Sequence, residues 1–389
     1  MRQSISLRPL VALLAASSAL GYSAAFAQGI KADPLTLYPT ASLSYGYNDN
    51  VLLTTNRVSS RSTVLAAGLK AEAVSGKSKY SIGYDATIGR YDSSTVDSFN
   101  YHEFKAVADM DVGTRLRIKL GGDYSVKSDA RGALPTVATQ APNEYRQGGL
   151  NGLISYGAPG AQGRIELDGA YSEKRYTSNR FTTAAFDLDT SKAGATFFWR
   201  VAPKTELLIS GGLFRSDYTA PTSTLDNTVY NLSAGVKWEA TAQTQGTFRV
   251  GYSVKDVWLP GLRDTKGITW DGAIRWSPLS YSHVDISTGR TFNDPLAGGN
   301  AIINSYYNAS WSHDWTDRIT SKVSGGLIPD NFNGTNRRDT TKSLGLGLSY
   351  AMQRWLSFGA DYTHTVRDSN TATFSYRKNL LMFSARVAM

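Results

Sequence analysis

The sequence predicts an all-β protein: a transmembrane antiparallel up-and-down β-barrel of about 18 strands, with short periplasmic turns and long extracellular loops. Apolar and polar residues alternate along segments of about ten residues, which is the length of a membrane-spanning strand. The connections between these segments are alternately short and long along the chain. In an outer-membrane barrel one face of each strand meets lipid and the other lines a wet lumen, so both observations favour this class.

The segment from Arg115 to Leu120 shows the alternation most clearly. It places its three apolar residues on one face of a strand and Arg115, Arg117 and Lys119 on the other. In a soluble β-sandwich the apolar face would pack against a second sheet, so the alternation alone leaves both architectures open.

The tryptophans help to decide between these two architectures. Five of the 8 lie at or beside a short predicted turn: Trp199, Trp238, Trp276, Trp315 and Trp355. A soluble core more often buries its indoles in the middle of strands, whereas a membrane barrel carries an aromatic girdle at the interface. The sequence therefore predicts that these five residues form such a girdle.

The strand positions follow from the alternation and from turns rich in Gly, Pro, Asn, Asp and Ser. The predicted strands are 37–48, 61–73, 79–90, 99–111, 115–126, 143–156, 163–175, 186–200, 204–216, 227–240, 246–257, 266–277, 281–292, 302–315, 319–330, 338–352, 354–365 and 375–389. The longest predicted loop, Lys127 to Pro142, is the candidate to fold inward and constrict the channel. No linker divides the chain, so residues 28–389 are predicted to form one barrel domain.

The first 27 residues are predicted to be a secretory signal peptide. They contain the basic residues Arg2 and Arg8, a short apolar run at 10–16, and small residues around Ala27. The apolar run is too short for a spanning helix. With the strand pattern, this predicts a protein of the bacterial outer membrane.

The charge and composition exclude several classes of function. The formal net charge is +9, but Lys and Arg are spread over the strands and not clustered as in nucleic-acid-binding proteins. A mildly basic lumen explains the charge better and favours anionic solutes. The chain has no Cys, so it has no disulfide and no thiolate site.

The polar faces of the strands supply candidate lumen-lining residues. These are Lys105, Arg115, Arg117, Lys119, Asp123, Arg164, Glu166, Lys237, Arg249 and Arg275. Both signs of charge are present, so the sequence predicts either a lumen closed by cross-strand ion pairs or a charge-selective one.

The sequence contains no convincing catalytic or metal-binding motif. Ser287, His283 and Asp285 could be combined into a triad only on paper, because all three lie along one strand and do not converge. The segment Asn48–Asn50 could offer oxygen ligands to a hard cation, although an Asx-type turn is the favoured interpretation. We therefore expect no enzyme and no cofactor.

Two short segments carry a family resemblance. The first strand ends in Tyr47–Leu52 (YNDNVL), and the last strand begins in Ser375–Leu380 (SYRKNL). Together with the predicted signal peptide and the Tyr- and Gly-rich strands, they resemble the putative beta-barrel porin family 2 of Gram-negative bacteria over essentially the whole mature chain.

The resemblance implies a conduit or partner for exopolysaccharide export. The implied partners are outer-membrane lipid, the secreted polysaccharide and periplasmic export proteins. The alternative is a diffusion porin for small solutes, including anionic ones.

Overall fold

The computed structural model describes residues 29–131, 140–158, 160–221, 223–239, 243–259, 261–295 and 299–389. The predicted signal peptide lies outside these ranges, so the division into residues 1–27 and 28–389 stays a prediction. No helix among the described residues is long and apolar enough to cross a membrane.

The main structure is a closed barrel of 18 antiparallel strands, each hydrogen-bonded to its neighbours in the sequence. The barrel closes where the last strand pairs with the first, as Leu380 lies opposite Asn48 and Ala388 opposite Thr40. One further short strand, β1, precedes the barrel. The strands are β1 (Ile30–Ala32), β2 (Leu35–Asn48), β3 (Ser60–Ser75), β4 (Ser78–Tyr91), β5 (Phe99–Val112), β6 (Leu116–Asp129), β7 (Asn143–Tyr156), β8 (Gly163–Tyr176), β9 (Leu188–Ala202), β10 (Thr205–Tyr218), β11 (Asn227–Trp238), β12 (Thr244–Val257), β13 (Thr265–Leu279), β14 (Ser282–Asn293), β15 (Ala301–Thr316), β16 (Ile319–Asn333), β17 (Arg338–Ala351), β18 (Leu356–Ser369) and β19 (Tyr376–Ala388).

The predicted fold class is confirmed, and each predicted strand corresponds to one barrel strand. The sequence missed β1, which pairs with the start of β2 between Ile30 and Leu37. Because β19 ends opposite Thr40, the first residues of β2 have no partner from β19 on that side, and β1 supplies one. This small addition covers an edge that would otherwise expose unpaired backbone groups.

The connections alternate in length around the barrel. Those on the side of the termini are short, and Gly76 and Gly113 adopt the positive φ angles of +58° and +73° that two of these turns need. The opposite connections are longer and contain the short helix α1 (Arg180–Thr183) and single 3-10 turns at Thr95–Asp97, Ala184–Phe186 and Ala372–Phe374. In outer-membrane barrels the short turns are periplasmic and the long loops extracellular.

Each strand alternates between a lipid-facing and a lumen-facing side. On β10, Leu207, Ile209 and Leu213 are exposed on the outer wall, as a lipid-facing surface requires. Leu208 points inward on the same strand and is 4% exposed, since it lies opposite Phe198 of β9. The inner wall is therefore not uniformly polar.

The girdle tryptophans lie at the periplasmic ends of their strands. Four are in β9, β11, β13 and β15, and Trp355 lies in the turn before β18. The indole N–H of Trp315 donates to Ser321 Oγ at 2.8 Å, which satisfies its polar atom near the interface. The extracellular halves of the strands carry exposed tyrosines instead: Tyr47, Tyr124, Tyr171, Tyr230, Tyr252 and Tyr307.

The orientation of the barrel can be tested with single cysteines, because the chain contains none. We expect a membrane-impermeant thiol reagent to label Thr373→Cys on intact cells, since Thr373 is exposed in the loop between β18 and β19. Lys77→Cys, in the turn between β3 and β4, should be labelled only after the outer membrane is permeabilised. The opposite labelling pattern would show that the barrel is inverted.

Candidate functional site

The inside of the barrel holds one large cavity of about 2720 Å³. Its lining comes mainly from the inward-facing residues of β5–β9 and from the periplasmic halves of β11–β19. The volume exceeds that of a pocket for a drug-sized ligand several times over. The arrangement is that of a water-filled passage and not of a closed binding pocket.

Nine of the ten predicted lumen-lining residues border this cavity: Lys105, Arg117, Lys119, Asp123, Arg164, Glu166, Lys237, Arg249 and Arg275. The exception is Arg115, for which the predicted strand position is wrong. β6 begins only at Leu116, and Arg115 is the last residue of the turn that follows Val112. The alternating pattern runs through this turn, so the boundary could not be predicted from it.

Most carboxylates of the lumen are neutralised by cations on neighbouring strands. Arg249 on β12 binds Asp271 on β13 at 2.9 Å, and Arg275 on β13 binds Asp285 on β14 at 2.6 Å. Neighbouring strands are also joined by pairs between Arg117 and Asp109, Lys127 and Glu103, and Lys192 and Asp168. Lys105 pairs with Glu103 and Arg164 with Glu166 along a single strand, and Arg164 also reaches Glu206 two strands away. Ion pairs therefore account for much of the predicted charge.

Three lysines of the lumen have no ion pair within the described ranges: Lys119, Lys237 and Lys322. They lie in the periplasmic thirds of β6, β11 and β16, so the gaps between them around the barrel are five, five and eight strands. Asp123 has no ion pair in this part of the chain either. In total the cavity is lined by 13 Lys and Arg against 9 Asp and Glu, which makes its potential positive.

An aromatic ring lies between two of these cations. The guanidinium of Arg164 lies 3.9 Å from the centre of the Phe198 ring, and Lys237 Nζ lies 6.0 Å from it. Phe198 faces inward and is 8% exposed. This cation–π cluster was not predicted from the sequence. Because Phe198 precedes the outward-facing Trp199, the alternation would have placed its ring in the lumen.

One extracellular loop turns into the barrel. Asp294 directly follows β14, yet its carboxylate accepts hydrogen bonds from the inner wall: from Tyr218 Oη on β10 at 2.9 Å and from Asn227 Nδ2 on β11 at 2.8 Å. It also pairs with Lys255 of β12, whose side chain is 1% exposed. Because β10 is four strands from β14, about 19 Å across the sheet, the start of the loop at Asp294 must lie against the inside of the wall.

The predicted constriction, Lys127 to Pro142, falls partly outside the described residues, which stop at 131 and resume at 140. The described end of this loop is held at the outer rim, where Arg131 pairs with Asp97 of the loop after β4 at 2.5 Å. This contact raises the pKa of the Arg131 guanidinium. The inward contacts of Asp294 were not anticipated from the sequence.

The segment Asn48–Asn50 forms the predicted Asx-type turn, as the backbone N–H of Asn50 donates to Asn48 Oδ1 at 3.0 Å. It also holds the barrel closed. Asp49 accepts from the backbone and side-chain nitrogens of Asn379 on β19 at 2.6 and 2.7 Å, and Asn50 donates to the carbonyl of Arg377 at 2.9 Å. We call these contacts the clasp.

Ser287, His283 and Asp285 do not form a catalytic triad in the structure. Asp285 is held by Arg275, and Ser287 lies four residues from His283 on β14, a separation of about 13 Å along a strand. Among the described residues there is also no group of three His, Cys, Asp or Glu that could hold a metal ion.

A closed barrel, a wet lumen and an inward loop are the features of a channel protein. A family model described as "Putative beta-barrel porin 2" matches residues 24–389. The chain belongs to this family. It is therefore an outer-membrane β-barrel porin and not an enzyme, as the sequence analysis predicted.

Solved outer-membrane channels share the fold at low sequence identity. OpdK from Pseudomonas aeruginosa is 11% identical with a TM-score of 0.53, and the match covers 91% of this chain and 99% of that one. OccAB3 from Acinetobacter baumannii is 12% identical with a TM-score of 0.50, covering 92% and 100%. OccK3 (OpdO) from Pseudomonas aeruginosa is 13% identical with a TM-score of 0.51, covering 91% and 96%. No curated protein matches the chain in sequence.

Proposed function

We propose that this porin is a passive diffusion channel that favours small anionic solutes, such as carboxylates, over cations. The observation that carries the proposal is the ring of unpaired lysines, Lys119, Lys237 and Lys322, around the periplasmic part of the lumen. The ion pairs cancel much of the other charge, and these lysines add to the excess of Lys and Arg over Asp and Glu in the lining that a solute meets. A lumen of one sign raises the local concentration of ions of the opposite sign.

A similar structure supports the choice of solute class. OpdK has been solved with vanillate, an aromatic carboxylate. In the present lumen Arg164 and Lys237 both lie beside the buried Phe198 ring, so a solute with a negative charge meets two cations at one place. A specific aromatic carboxylate is not implied, because the low identity supports only the fold.

Polysaccharide export stays a prediction from the family resemblance. An export conduit would be expected to present aromatic rings on which sugars can stack. Four inward tyrosines, Tyr145, Tyr176, Tyr218 and Tyr376, are buried against the wall, between 4% and 7% exposed. They offer a sugar no open ring, whereas the unpaired lysines face the lumen, and this favours the diffusion porin.

The ion selectivity of purified barrels in planar bilayers tests the proposal. We expect anion preference under a salt gradient, and the triple variant Lys119→Gln, Lys237→Gln, Lys322→Gln should move the reversal potential towards cation preference. A matched triple variant on the outer wall, Arg146→Gln, Lys266→Gln, Lys342→Gln, removes the same charge and should leave the reversal potential unchanged. Cation preference in the unmodified barrel would contradict the proposal.

Deletion of the protein separates the two functions in cells. We expect slowed uptake of small anions and normal extracellular polysaccharide. Loss of the polysaccharide with unchanged uptake would favour export instead.

A further inference from the structure

The outer wall is divided into two arcs of different charge near its extracellular end. On strands β17–β19 and β2–β4, five exposed cations point outward at this level, and we call this surface the seam arc because it spans the closure of the barrel. Its cations are Arg338, Lys342, Arg377, Arg61 and Arg90. The acids at this level are Asp368 on β18, Asp92 directly after β4, and Asp49 directly after β2, which pairs with Arg57, so the cations remain in excess.

The opposite surface, on β7–β12, has the reverse balance. Its outward positions at the same level carry five acids and three arginines: Glu144, Glu173, Asp189, Asp217, Asp256, Arg146, Arg175 and Arg215. Two of these arginines are neutralised, because Arg175 pairs with Asp189 at 2.6 Å and Arg215 with Asp217 at 2.8 Å. We call this surface the acidic arc. The barrel therefore has a positive side and a neutral or negative side at one height.

The cations of the seam arc are mostly available for an external partner. Within the described part of the chain, Arg61, Arg338 and Arg377 have no ion pair. Arg90 donates to the carbonyls of Gly89 and Phe99 and to Asn100, all neutral groups. Lys342 pairs with Asp368 only at 3.5 Å, and both side chains are 61% exposed.

The spacing of these side chains suits a ligand with several negative charges. Lys342 and Arg377 both lie in register with Val366 between them, so their backbones are about 10 Å apart. Arg61 and Arg90 are diagonal neighbours, since Arg90 lies opposite Thr63, and their Cα atoms are about 7–8 Å apart. Long Lys and Arg side chains span such gaps and can close on one phosphate from two sides.

The surface below the seam arc is that of a lipid-covered wall. Tyr47 lies opposite Arg61, Tyr45 lies one outward position further towards the membrane, and both are exposed. Below them follow exposed apolar residues such as Leu65 and Leu344. Aromatic side chains of this kind mark the level of the lipid headgroups, so the seam arc lies at the height of the phosphates of the outer leaflet.

We propose that the seam arc binds the phosphate groups of the outer-leaflet glycolipid, lipopolysaccharide. Charge complementarity selects this occupant, because basic residues beside a membrane recognise anionic headgroups. The acyl chains of the same lipid would lie on the apolar strand faces below. The lipid then joins the first and last strands of the barrel from outside, at the level where the clasp joins them by hydrogen bonds.

The experiment compares lipid A retention by native mass spectrometry of the purified full barrel in detergent. We expect the unmodified protein to retain lipid A, and the variant Arg61→Gln, Arg90→Gln, Arg377→Gln to bind it about a hundredfold more weakly, about fivefold for each cation removed. The matched variant on the acidic arc, Arg146→Gln, Arg175→Gln, Arg215→Gln, should bind lipid A as the unmodified protein does. The single variant Arg61→Gln, with its fivefold effect, serves if the seam triple variant does not fold.

Two further ligands identify the recognised group. Lipid A without phosphates should not be retained, and inorganic phosphate should not displace lipid A at millimolar concentration. Equal retention of the dephosphorylated lipid, displacement by inorganic phosphate, or equal losses in the two triple variants would each overturn the proposal.

Discussion

The variant Asp294→Asn is expected to increase the single-channel conductance of the barrel. Asp294 holds the start of the loop after β14 against the inner wall through Tyr218, Asn227 and Lys255. Removing one partner of a buried ion pair costs about 3–5 kcal/mol, because the other charge remains buried without compensation. A free-energy difference of about 3 kcal/mol favours the loop held at the wall over the released loop by a factor of more than a hundred. Its loss should therefore let the loop leave the wall for much of the time.

Planar-bilayer recordings measure this effect directly. The matched variant Asp217→Asn breaks the pair with Arg215 on the outer wall and should leave the conductance unchanged. Lys255→Met should have a smaller effect than Asp294→Asn, since Asp294 keeps its hydrogen bonds from Tyr218 and Asn227. An Asp294→Asn barrel with unaltered conductance and noise would show that the loop does not narrow the passage.

A second large effect, a loss of folding stability, is expected for Val250→Arg. Val250 lies halfway along β12 and is exposed on the lipid-facing side between Ala234 and Trp270 of the adjacent strands. An arginine there meets the bilayer midplane, which costs about 2–4 kcal/mol in outer-membrane barrels. Urea titrations of the barrel folded into lipid vesicles should show this loss of unfolding free energy.

Thr247→Arg is the matched control on the same strand. Thr247 faces inward and borders the water-filled cavity, so its replacement should cost much less. Ser253 also faces inward but is unsuitable as a control. It is 4% exposed, and its hydroxyl is hydrogen-bonded to Asn231 and Thr269 at 2.8 Å. Equal costs for Val250→Arg and Thr247→Arg would mean that the assignment of the two faces is wrong.

Local patterns predicted the strands well because each barrel strand is amphipathic by itself. The bounds of β7 agree with the prediction at both ends, 143 and 156. The same locality explains the error at Arg115, where the alternation continues through a turn of three residues. It also explains why β1 was missed, since its strand character depends on where β19 ends, more than 300 residues later in the chain.

The candidate site was predictable in its charges and not in its contacts. The alternation along their strands indicated that Arg249 and Arg275 face the lumen. Which cations remain without an ion pair depends instead on how the side chains of adjacent strands meet. Lys119 lies directly opposite Asp109, yet it is Arg117, the diagonal neighbour with the longer side chain, that forms the ion pair. The inward position of Asp294 depends on partners up to 76 residues away, so loop length alone pointed to a different loop.

The clasp has a consequence for the order of events during synthesis. Asp49 leaves the ribosome long before Asn379, its partner 330 residues further on. Until β19 arrives, β2 is an open edge strand with unpaired hydrogen-bonding groups, the kind of edge that recruits other chains. Export to the membrane therefore has to keep this edge occupied by a chaperone or by a lateral docking site. The hydrogen bonds of the polar segment Asn48–Asn50 to β19 therefore form only when the ring of strands is complete.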